Sequence, residues 1–248
     1  MRAVALLSAA ALVGVSYATT GETVTATSLQ VTAVNAEDGV GAGTDSYTYY
    51  TGDGSTGAGW PAASSWVSFN EMFEANKAHM SISCDWMGVP DDSDDEIQEL
   101  QDAINQVAQE TFVDHRFILA VVLQESNGCV RVHTTGNGVT NPGLMQSHAG
   151  SGTCNDNGSV QNPCPDSEIV QMIEDGTAGT DSGDGLANCI NNAQTSDVSA
   201  YYRAARIYNS GSIAADGNLS NANGATACYA SDIANRLTGW VNAASTCA

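Results

Sequence analysis

Basic residues are nearly absent from this 248-residue chain: seven Lys and Arg stand against 28 Asp and Glu, a formal net charge of −21 with a pI near 4.1. Nucleic acids and anionic membranes recruit proteins through basic patches, so neither is expected as a partner. Also missing are paired C-x-x-C spacings, an H-E-x-x-H motif, a phosphate loop and any internal repeat. The sequence therefore offers no zinc or nucleotide site, and neither a metal nor a cofactor is expected. Long apolar runs are lacking too: the segment from Ala3 to Val15 falls short of the ~20 residues that span a bilayer. Preceded by Met1-Arg2 and followed by Ser16-Tyr17-Ala18, it reads as a secretory signal over residues 1–18, which makes the mature protein secreted, extracellular and soluble.

Cysteine is absent before Cys84, after which seven occur: Cys84, Cys129, Cys154, Cys164, Cys189, Cys228 and Cys247. Such usage suits a disulfide-bonded domain in an oxidising compartment. The odd count leaves one thiol free or paired with another chain. Cys154 and Cys164 are expected to clip a loop beside the active site, and Cys228 and Cys247 to staple the last helix.

Residues 19–63, rich in Thr, Ser, Gly and Ala, show little helical periodicity and read as a flexible low-complexity segment. Its aromatic end, with Tyr47, Tyr49, Tyr50 and Trp60, is open to two uses, packing on the domain or lining a sugar groove, as is Trp66 just beyond it. The compact domain is placed at 64–248. There Ser93-Asp94-Asp95-Glu96 forms a capping box before Ile97, Leu100, Ile104, Val107 and Ala108, which recur on one helical face. Further helices are expected from Asp166 to Asp175, from about Leu186 to Ala193, ending at Tyr208-Asn209, and from Ala225 to Trp240.

The chain is organised around residues 113–146. Asp114 opens a helix whose run Phe117–Leu123 is apolar all round and delivers Glu125, followed by Ser126, Asn127 and Gly128. Desolvation by the apolar run and the negative helix C-terminus both disfavour the ionised carboxyl, which would raise its pKa towards about 6 and make it a proton donor. A glutamate that merely solvates the helix end is the plainer alternative.

Glu125-Ser126, then Gly143-Leu144-Met145-Gln146, then Tyr208-Asn209-Ser210-Gly211 occur in the order of three signature blocks. They resemble the blocks of the soluble lytic transglycosylases and goose-type lysozymes, glycoside hydrolase family 23. The resemblance implies a mainly α, lysozyme-like α+β fold in which a small loop or β lobe walls a glycan cleft. It also implies a glycosidase cleaving β-1,4 bonds of N-acetylhexosamine polymers, with peptidoglycan the default substrate. Glu125 would be catalytic, and Ser126, Gly143, Leu144, Met145, Gln146, Tyr208 and Asn209 would contact substrate or shape its site. Tyr208 is implied to hydrogen-bond near the glutamate; Ile207 replaces the family's alanine.

The family's hydrolases take a second carboxylate from the interval after the glutamate, yet no Asp or Glu lies between Glu125 and Gln146. This favours the transglycosylase route, in which Glu125 protonates the glycosidic oxygen and then removes the C6 hydroxyl proton to leave a 1,6-anhydro end. Asp156, Asp166 and Glu168 remain candidates for a water-activating carboxylate if folding brings them near. The acidic charge raises chitin, a neutral glycan, as the alternative substrate. A non-catalytic glycan-binding or effector protein is the alternative of another class. The protein is expected to act as a monomer on polysaccharide.

Overall fold

The computed structural model describes residues 21–136 and 138–247, and the expected signal at 1–18 lies outside the described residues. Seven α-helices are found among them: α1 Phe69–Met80, α2 Asp94–Thr111, α3 His115–Glu125, α4 Asp166–Thr177, α5 Leu186–Asn191, α6 Ser199–Ser210 and α7 Tyr229–Leu237. Strand is confined to two antiparallel hairpins of two-residue strands, β1 Thr135–Gly136 with β2 Thr140–Asn141, and β3 Asn155–Asp156 with β4 Ser159–Val160. The mainly helical expectation holds.

Local chemistry sets the helix ends. The capping box of α2 forms as expected, with Ser93 Oγ accepting from Glu96 N while the Glu96 carboxylate accepts from Ser93 N. Asp114 caps α3 by accepting from Arg116 N. α4 differs from expectation: it runs through Gly176 to Thr177 instead of stopping at Asp175. The missing side chain is needed for packing, since a Cβ at Gly176 would lie 2.5 Å from Met145 Cβ.

α3 is the central rod. Every residue from His115 to Leu123 is buried, enclosed by α1, α2 and α7, so its sequence needs no polar face. Its C-terminal end alone reaches a surface.

Residues 21–63 are not the flexible segment expected from their composition. They form a strap laid over the helices, with Val24, Leu29 and Trp60 buried in the core. Val24 N donates to Thr111 O and Val31 N to Phe112 O, while Asn191 Oδ1 accepts from both Thr25 N and its hydroxyl. Where this strap crosses α7, Thr48 N donates to Asn235 Oδ1 and Tyr50 N to Ser231 Oγ. Extended backbone without a sheet is held here by side-chain acceptors on the helices it crosses.

Disulfides Cys84–Cys129, Cys154–Cys164 and Cys228–Cys247 are present, and Cys189 is a buried free thiol. The expected clip and staple are among them. Burial of Cys189 excludes a pairing with another chain in the folded state. No helix among the described residues is long and apolar enough to cross a membrane.

Arg131, between the end of α3 and the first hairpin, is wholly buried. Its guanidinium pairs with Asp92 and Glu96 and donates to Gln161 O and Asn162 Oδ1, while Glu96 Oε1 also accepts from Cys164 N. A buried ion pair is tolerable only when its remaining hydrogen-bonding capacity is filled, as it is here. The cluster ties the start of α2 to both ends of the hairpin lobe.

Candidate active site

Glu125 stands at the C-terminal end of α3 and lines a cleft of about 1060 Å³. The opposite walls come from Thr135 and Asn141 of the first hairpin, Gln146 and His148 after β2, residues 182–184, the end of α6 at Ile207–Gly211, and residues 223–225. Three of the sequence blocks thus meet in one place: Glu125, Gln146 and the pair Tyr208 and Asn209.

The Glu125 carboxyl is partly buried, and its pKa is raised to about 7 by desolvation, against which a hydrogen bond from Tyr229 acts. Tyr229 OH donates to Glu125 Oε1 at 2.5 Å. Neither Lys nor Arg lines the cleft to hold the carboxylate charged. The tyrosine hydroxyls of Tyr208 and Tyr229 are pushed well above their ordinary value by burial and then by the charge of Glu125. Both remain donors at any ordinary pH.

Tyr229 was not legible as a site residue; its place on the apolar face of the last helix suggests packing only. The implied role of Tyr208 is divided accordingly. Tyr208 lies in the cleft beside Glu125, but its hydroxyl donates to Met145 O at 2.8 Å. One tyrosine holds the carboxyl, and the other fixes the turn that carries Gln146.

That turn explains the second block. Gly143 has φ 73°, and a Cβ there would lie 2.6 Å from Met172 Cγ and 2.7 Å from Gly152 O. The protein's own packing is enough to require the glycine. Leu144 and Met145 are wholly buried. Gln146 lines the cleft with its amide already engaged: Oε1 accepts from Thr135 Oγ1, and Nε2 donates to His133 O and Gly143 O. Ser126 does not face the cleft, because its buried hydroxyl donates to Val122 O and accepts from Gly128 N. Asn209 accepts from Arg206 and from Thr226 N at 3.1 Å, closing the cleft wall at residues 223–225.

None of the three candidate second carboxylates lines the cleft. Asp156 sits on β3 and accepts from Asn157, Asp166 faces Glu99, and Glu168 accepts from Thr153 N. The acidic residue that does line it with Glu125 is Asp184, on the glycine-rich turn before α5. Loop closure over long separations leaves no signal in spacing, which is why sequence pointed elsewhere. Cys189 also lines the cleft; burial pushes its thiol far up, so it is not a nucleophile.

Asp38, Asp114 and His115 bring ligand atoms within 4.8 Å of one another. Arg116 occupies that cluster, bonded to Asp114 and Asp38, and supplies the positive charge a metal would bring.

Comparison with known proteins finds no matching family model, no matching curated protein and no matching solved structure.

Proposed function

We propose that this protein is an extracellular glycosidase that cleaves β-1,4 bonds of N-acetylhexosamine glycans, peptidoglycan first, with Glu125 as its single acid and base. One observation carries the reading: a carboxyl raised to about 7 by burial, held by a tyrosine, opens into a cleft large enough for sugar rings. A carboxylic acid that stays protonated in mildly acidic water can donate to a leaving oxygen and take a proton back afterwards. Gln146 and Tyr208 in the same cleft support the family resemblance. That no Asp or Glu lies between Glu125 and Gln146 supports the transglycosylase route and its 1,6-anhydro product, and Asp184 is the carboxylate on the cleft wall that a water-activating hydrolase would use instead. The three disulfides support export.

A specific observation favours a second substrate. The cleft carries Asp184 and no Lys or Arg, on a chain of net charge −21, which suits neutral chitin better than an anionic wall polymer.

The test is mass spectrometry of products from purified peptidoglycan and from chitin oligosaccharides at pH 4 to 7, with the protein and its Glu125→Gln variant. Anhydro ends are expected, and the variant should lose at least ~10²-fold in rate. Reducing ends would make the enzyme a hydrolase with Asp184 as the carboxylate to examine. Chitin cleavage alone would promote the second substrate, and binding without products would make this a glycan-binding protein. Undiminished activity of Glu125→Gln would remove the assignment.

A further inference from the structure

We propose that Tyr47 of the N-terminal strap is a positioning residue for Glu125, acting through Asp232 to hold α7 and its Tyr229 against the end of α3. The inference rests on Glu125 being the functional carboxyl, and it begins from a chain of contacts that leaves no loose joint. Tyr47 OH donates to Asp232 Oδ1 at 2.6 Å. The other oxygen, Asp232 Oδ2, accepts from Gln124 Nε2 at 3.2 Å, and Gln124 Oε1 in turn accepts from Arg236 Nε at 3.0 Å. Gln124 directly precedes Glu125. Both ends of its amide are therefore fixed by α7, and Asp232, the hub, is fixed by the strap.

The ring of Tyr47 is also held, edge-on to Trp240 at 4.8 Å, while the Arg236 guanidinium stacks over the same indole at 4.9 Å. On α7, Asp232 lies one turn beyond Tyr229, so the residue gripped by the strap and the residue gripping Glu125 share a helix segment. Neighbouring strap residues reinforce the grip: Thr48 bonds Asn235 in both directions, and Ser231 Oγ donates to Thr48 O. Tyr47 itself does not line the cleft. Its effect on Glu125 must pass through the helix pair.

Removing the Tyr47 hydroxyl leaves Asp232 Oδ1 without its donor in a buried site. Burial already raises the Asp232 carboxyl, and the hydrogen bond from Tyr47 is the foremost influence opposing that rise, followed by Arg236 and Gln124. Asp232 must then shift or take up a proton, and either change loosens its hold on Gln124 and on α7. The bond from Tyr229, which lowers the Glu125 pKa, lengthens, so Glu125 keeps its proton to higher pH. The ionisable groups facing Glu125 are Tyr229 of α7, Tyr208 of α6, Cys189 of α5, and His148 and Asp184 of the cleft wall. No Lys or Arg lines the cleft to take over the stabilising role.

The experiment is a carboxyl carbon-13 titration of Glu125 in the whole protein, in Tyr47→Phe, and in Tyr49→Phe as a control on an exposed neighbour. Tyr47→Phe should move the midpoint upward by roughly half a pH unit or more, and Tyr49→Phe should leave it in place. Asp232→Asn, which removes the hub's charge and not its bulk, should shift it the same way. On substrate at pH 5, where Glu125 is protonated in all forms, kcat of Tyr47→Phe should fall several-fold with KM unchanged. An unmoved midpoint in Tyr47→Phe with only a lowered melting temperature would overturn the proposal and leave the strap a stabilising element. Because the titration needs no substrate, it can fail while the glycosidase reading stands, and the reverse also holds.

Discussion

At the scale of single residues, Glu125 is governed by two opposed influences: burial at the end of an apolar helix, and one hydrogen bond from Tyr229. Tyr229→Phe removes the second and leaves the first. The carboxyl should then hold its proton to higher pH, and the alkaline limb of the pH–rate profile should move upward by about half a unit or more. A limb that moved downward would mean that Tyr229 stabilises the protonated acid, contrary to the assignment. The position of Glu125 was legible in sequence because an apolar run ending in a carboxylate and then glycine forces the acid out of the core. The identity of its partner was not. Tyr229 lies 104 residues away on a helix whose face pattern is equally satisfied by packing, and only the crossing of α3 and α7 turns its hydroxyl to the carboxyl. Gly143 teaches the converse: sequence implies a residue that contacts substrate or shapes its site, but the atoms that demand a glycine there, Met172 and Gly152, come from segments whose approach spacing does not encode.

At the scale of elements, the helix starts were the most legible part, because caps are local. Ser93 and Glu96 satisfy each other's backbone donors within four residues, so the box can be read without knowing the fold. What it does beyond capping could not be read. Glu96 is held below the usual carboxylate range: burial acts to raise it but is outweighed by bonds from Ser93, Cys164 and Arg131. Ser93→Ala should therefore cost about 1–2 kcal/mol, the upper part of the range for a lost cap, because it also loosens the anchor of Arg131. Denaturant melts would measure it, and a loss within the error of the melt would show that the ion cluster holds Glu96 unaided. The strap was misread for the opposite reason. Composition reports what a segment can bury by itself, and residues 21–63 bury little by themselves; they are fixed by acceptors such as Asn191, Asn235 and Asp232, found 166 to 187 positions along the chain.

At the scale of the whole molecule, the carboxylates divide into two groups with opposite pH behaviour. Asp92 and Glu125 are each raised to about 7 by burial, Glu99 is raised likewise by burial and its neighbour Asp166, and Asp232 and Glu174 are raised by burial. A group that binds its proton more tightly when folded stabilises the fold fully below its unfolded pKa, near 4, and loses that contribution as pH rises through about 7. Glu96 and Asp38 behave in reverse: their bonds hold them below the ordinary value, so their contribution is present above pH 4 and is lost on further acidification. The net charge of −21 adds self-repulsion that grows in the same direction as the first group. Stability should thus peak near pH 5, with the melting temperature falling by at least roughly 3 °C by pH 8 and falling again below pH 4. A melting temperature that held level or rose from pH 5 to pH 8 would show that the buried acids, Asp92 foremost, keep their charge in the fold through Arg131 and the backbone donors around them. The same window serves the proposed chemistry, since the acid form of Glu125 on which proton donation depends persists where the fold is most stable.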